Sequence, residues 1–145
     1  MRYLAYVWAF PNTLLGLVGG TIGLLGGGRA RIVDGTLEFQ GPLLAWLLDR
    51  SIPIVGGAAA ITLGHVVLAR DATKLARCRA HERVHVRQYE RWGVLFLPAY
   101  GLSSLFALLR GGDPYLDNRF EREAYALERA SPGEASTGAP PAGDC

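Results

Sequence analysis

His81-Glu82-Arg83-Val84-His85 is an H-E-x-x-H motif, and it uses two of the three histidines in the chain. On a helix, residues four apart share a face, so both imidazoles can reach one Zn²⁺. The glutamate beside the first histidine then stands where it can take a proton from a water at the metal. The chemistry this pattern serves is metal-assisted hydrolysis, with His81 and His85 as ligands and Glu82 as general base.

A zinc site that keeps one position open takes three protein ligands. No histidine follows His85, so the third ligand must be acidic, and Asp117 to Ala126 is the segment that offers one. Asn118 and Glu121 stand as N-cap and N3 of a capping box, which gives Glu121 a task at the helix start. Phe120, Glu123, Ala124 and Leu127 follow the i, i+3, i+4, i+7 spacing of a core-facing stripe. A carboxylate on that stripe is costly unless satisfied, either by a metal or by an arginine. Glu123 is the expected third ligand, with Glu121 the fallback.

The elements that must position these groups are also legible. Asp71 and Thr73 are candidate N-caps, no Pro or Gly interrupts Lys74 to Trp92, and Gly93 suits the helix end. At 100° per residue Cys78, His81, Val84, His85, Gln88 and Trp92 gather on the inward side. Arg79, Arg83 and Arg87 lie opposite, with Glu90 among them and Arg91 at the border. This charged side is read as a solvated face relieved by Glu90, or as one set against anionic headgroups. Asp34-Gly35 between Arg31-Ile32-Val33 and Thr36-Leu37-Glu38-Phe39 predicts a hairpin. Leu43 to Leu48 reads as a short helix, and Ala60 to Leu68 as one strand that carries His65 either toward a substrate cleft or into local hydrogen bonding.

A strand, then the H-E-x-x-H helix, then a helix bearing Glu-Ala resembles the gluzincin zinc metalloproteases. The likeness is to their small or membrane-embedded bacterial members, including the CAAX-processing and stress-response membrane peptidases. It covers about residues 60 to 130. Their later signature reads E-A-D, whereas this chain has Glu123-Ala124-Tyr125 and lacks the aspartate partner. The resemblance implies an α+β, zincin-like minimal core and a Zn²⁺ peptidase with His81, His85 and Glu123 as ligands. It also implies a peptide or protein substrate added along a strand edge.

Composition sets the remaining bounds. A chain of 145 residues is one domain with a real core. Its net charge of +2 gives no reason to expect a nucleic-acid partner. The two cysteines make no disulfide framework, and Cys78 reads as a small core residue. Tyr3 to Gly27 carries no charge, which is long enough to cross a bilayer. Residues 1–28 are read as a retained anchor in a bacterial inner membrane, with a cleaved signal peptide as competitor. Gly16, Gly20, Gly23 and Gly27 suggest close helix packing and a helix-mediated homo-oligomer. Val94 to Leu109 is a second apolar run, read as a core, re-entrant or interfacial helix. Residues 29–130 form the catalytic domain, and 131–145 a disordered tail. Arg2 precedes the first apolar run, while Arg29, Arg31 and Arg50 follow it, which places the catalytic region in the cytoplasm.

The expected protein is a membrane-associated zinc metallohydrolase acting on peptide bonds. Its rivals are a noncatalytic membrane protein with a structural or vestigial zinc site, and a zinc hydrolase of other amides or esters.

Overall fold

Asp34 and Gly35 both adopt positive φ (49° and 82°), the backbone a tight two-residue hairpin requires. In a computed structural model, which describes residues 2–51, 57–130 and 145, this turn joins β1 (Arg29–Val33) to β2 (Thr36–Gln40) in antiparallel register, with Val33 opposite Thr36. The expected strand from Ala60 to Leu68 is instead a second hairpin, β3 (Ala60–Leu63) and β4 (Val66–Ala69). Gly64 is the reason. Its φ of +64° reverses the chain, and a Cβ there would strike the backbone of Thr13. The four strands lie in the order β1-β2-β4-β3, with β2 and β4 parallel, so β3 is a sheet edge.

Five α-helices complete the described residues: α1 (Arg2–Leu25), α2 (Pro42–Ser51), α3 (Ala72–Trp92), α4 (Phe96–Leu109) and α5 (Arg119–Ala130), with a 3₁₀ turn at Gly93–Leu95. The fold is α+β, a small mixed sheet with helices and an apolar N-terminal helix. The Asp71 carboxylate accepts from the Lys74 backbone N–H at 2.8 Å, making it the N-cap of α3. Three arginines of α3 are paired within the chain, and Arg87 stays exposed. Arg79 pairs with Glu38, Arg83 with Asp34 and Arg91 with Glu123, while Glu90 pairs with His65 instead.

The glycines of α1 face the sheet. A Cβ at Gly16 would meet Val66, at Gly20 Phe39 and at Gly23 Leu44, all within 2.6–2.7 Å or less, so side-chain-free helix lets β2, β4 and α2 close in. The stripe expected to pair helices between molecules is therefore used inside one, and Gly27 lies beyond the helix. Leu4–Leu25 and Ala72–Leu109 are each long and apolar enough to cross a membrane, a property shared by core helices and signal sequences.

Cys78 is bonded to Cys145 in a disulfide that closes over 67 residues of sequence. Cys145 is buried with Ala60, Val67, Leu75 and Cys78, which corrects its assignment to a free tail. The rest of the expected tail, residues 131–144, lies outside the described residues.

A candidate metal centre

α3 supplies two imidazoles to one point. His81 Nε2 and His85 Nε2 are 3.1 Å apart, as the i, i+4 spacing requires. The carboxylate that meets them is Glu121, not Glu123. Glu121 Oε2 lies 3.0 Å from His81 Nε2 and Oε1 3.4 Å from His85 Nε2, and all three residues are buried.

The register of α5 explains the difference. Asn118 caps the helix alone, its Oδ1 accepting from the Phe120 N–H while its own N–H donates to the Tyr115 carbonyl. No reciprocal bond from Glu121 is needed. The buried face of α5 runs through Phe120, Glu121, Ala124 and Tyr125, and Leu127 is exposed. Glu121 thus turns toward α3 against Phe120's neighbours. Glu123 sits at the rim, accepting from Gln88 Nε2 at 2.9 Å and from Arg91 at 3.2 Å.

Taking one ligand atom from each residue, the three lie within 4.8 Å of one another, so the cluster could hold a metal ion. Outer contacts aim the ligands. Gln88 Oε1 lies 2.9 Å from His85 Nδ1, a partner that would hold a neutral His85 with Nδ1 protonated and the Nε2 lone pair facing the cluster. Gln88 is itself held by the Phe120 carbonyl at 3.0 Å and by Glu123. The Tyr100 hydroxyl donates to Glu121 Oε1 at 2.7 Å. Glu128 brings a carboxylate oxygen to 3.5 Å from His81 Nδ1, which makes no hydrogen bond among the described residues.

Burial alone would raise the Glu121 pKa, but hydrogen bonds from His81 and His85 and their charges hold it well below the carboxylate range. Burial pulls His85 down, yet hydrogen bonding to and the charge of Glu121, then the charge of Glu82, raise it to about 9. Both directions favour an ion pair between Glu121 and His85 in the metal-free cluster.

Glu82 lies beside the cluster, 3% exposed, and its Oε2 accepts from the Thr62 hydroxyl of β3 at 2.5 Å. Glu82, His85 and Glu121 border a cavity of about 220 Å³. Ile61 and Leu63 of β3 form one wall, Phe96, Leu97 and Tyr100 another, and Tyr115 and Cys145 close it. Burial followed by the Glu121 charge pushes the Tyr115 phenol far up, so it remains a proton donor.

His65 is elsewhere. It occupies the β3–β4 turn, stacked on Tyr6 with ring centroids 4.1 Å apart, and does not line this cavity. Thr62, Tyr100, Tyr115 and Glu128 escaped sequence reasoning because nothing in their spacing ties them to His81. Gln88 did carry a signal, since it lies on the inward face of α3 one turn after His85. No protein-family model, curated protein or solved structure matches the chain.

Proposed function

We propose that this chain is a zinc-dependent hydrolase of the H-E-x-x-H type, acting on peptide bonds, in the manner of the gluzincins it resembles. The observation that carries the reading is the convergence of His81, His85 and Glu121 within 4.8 Å, with Glu82 in the same cavity. His81, His85 and Glu121 would hold the ion. Bound there, zinc would lower the pKa of a water and polarise a carbonyl. Glu82 takes the proton and returns it to the leaving amine, and the Thr62 hydroxyl keeps its carboxylate in place. Tyr115, neutral and at the cavity wall, can donate to the developing oxyanion. An extended backbone laid along the β3 edge would cross the cavity beside Ile61 and Leu63.

A structural zinc site gains nothing from a buried carboxylate beside the ligands, so the place of Glu82 favours catalysis over a noncatalytic role. Apolar walls suit an amide or an ester equally, and only substrate profiling separates them. The chain is read as membrane-associated through its apolar helices. The Cys78–Cys145 disulfide favours an oxidising compartment over the cytoplasm for the catalytic face.

The test is metal analysis with a peptide-library assay on wild type and Glu82→Gln. The expected result is about one zinc per chain in both, and hydrolysis only in the wild type. Protein that binds no zinc would overturn the reading.

A further inference from the structure

We propose that α1 does not cross the bilayer but lies in the plane of its interface, docking the domain on anionic lipid through the outer faces of α1 and α4. This deepens the membrane association above and is independent of the hydrolytic chemistry. One side of α1 is committed to the domain along the length of the helix. Near its start Tyr6 stacks on His65 with ring centroids 4.1 Å apart, at its middle Asn12 Nδ2 donates to the Gly93 carbonyl at 2.9 Å and Gly16 abuts Val66, and toward its end Gly23 abuts Leu44. A helix held this way takes its neighbours wherever it goes. Threading it across a bilayer would carry the sheet edges β1 and β3, with their outward backbone groups, into hydrocarbon, where nothing would hydrogen-bond them. The Arg31–Glu38–Arg79 ion pairs would go with them.

The opposite side of α1 is apolar and bare. Leu4, Val7, Leu14, Val18, Ile22 and Leu25, from 43% to 85% exposed, recur at three- and four-residue steps once the exposed Pro11 is counted between Val7 and Leu14. Trp8 of α1 touches Gly93, and α4, which begins three residues later, leaves Leu102, Leu105 and Leu109 exposed. The charges at the rim match anionic headgroups. Arg29 follows the end of α1 and is exposed, and Arg31, also exposed, keeps Glu38 as its partner. Arg110 ends α4 with its guanidinium 4.1 Å from the Phe106 ring centroid, and Arg50 lies 5.0 Å from that of the exposed Trp46. Arginine against an aromatic ring at an apolar border is the arrangement that suits the headgroup layer.

The test uses the full chain in cell membranes with an N-terminal epitope tag and Asp34→Cys in the β1–β2 turn. The native cysteines are bonded, so they do not compete for an impermeant maleimide. Tag and label on the same side of the membrane are expected; opposite sides mean that α1 spans and overturn the proposal. The purified protein should bind phosphatidylglycerol vesicles more tightly than phosphatidylcholine vesicles. Val7→Glu with Val18→Glu should weaken that binding by at least about tenfold. The zinc content and melting temperature of that variant should stay at the wild-type level, since both sites are exposed. A lipid-free dimer that does not bind vesicles would assign the face to a second copy and overturn the proposal. A zinc-free protein that still docks would leave this inference standing and remove the hydrolase instead.

Discussion

Glu121 and Glu123 are two positions apart on one helix, yet one meets both histidines and the other meets Gln88 and Arg91. Glu121→Gln is expected to abolish stoichiometric zinc binding, because it removes the anionic member of a three-ligand set. Glu123→Gln should retain zinc, read by metal analysis after gel filtration. Gln88→Ala should bind zinc about 10–100-fold more weakly by competition with a chelator, since the His85 tautomer loses its anchor. The metal-free protein should also show a distinctive pH profile. Glu121 has a lowered pKa, so its contribution is full above the ordinary value of 4.5 and is lost as pH falls below it. His85 has a raised pKa, so its contribution is full below 6.5 and is lost as pH rises through about 9. Thermal melts of stripped protein should therefore peak between about pH 4.5 and 6.5. Zinc, which needs both histidines neutral, should move that maximum upward. A stripped protein that gains stability from pH 6.5 to 9 would contradict the ion pair.

At the scale of elements, the site depends on three pieces brought together: α3 with the motif, α5 with Glu121 and β3 with Thr62. Neither the helix α3 nor the β1–β2 hairpin needed tertiary information, because Asp71 and Asp34-Gly35 act within a few residues of themselves. The β3–β4 hairpin was hidden because its apolar run continues through Gly64, and only the approach of Thr13 shows why glycine is there. The glycine stripe of α1 was visible, but its partner was not. Gly16→Val should cost about 1–3 kcal/mol in denaturant unfolding, because Val66 and the Leu63 carbonyl leave no room for a Cβ. An unchanged midpoint, with a change in oligomeric state instead, would return the stripe to helix pairing between molecules.

At the scale of the whole molecule, the Cys78–Cys145 bond ties the chain end to the helix that carries the histidines, one turn before His81. A loop of 67 residues predicts about 4 kcal/mol of stabilisation from the restricted unfolded chain. Cys145→Ser, and the wild type in excess dithiol, should each unfold at lower denaturant by a comparable amount. Zinc should remain bound below that transition, because no ligand comes from the chain end. The sequence by itself determined the pairing of His81 with His85, the place of Glu82 beside them, the helix that carries them and the apolar character of residues 3–27, since each is a property of neighbours along the chain. It left the acidic partner of the two histidines to a choice between two carboxylates, because the face α5 buries is set by what α3 and α4 present to it. Tertiary structure alone decided that choice, paired the cysteines and turned the α1 glycines to the sheet. These outcomes rest on contacts between residues distant in sequence, and local periodicity carries no record of which surfaces meet.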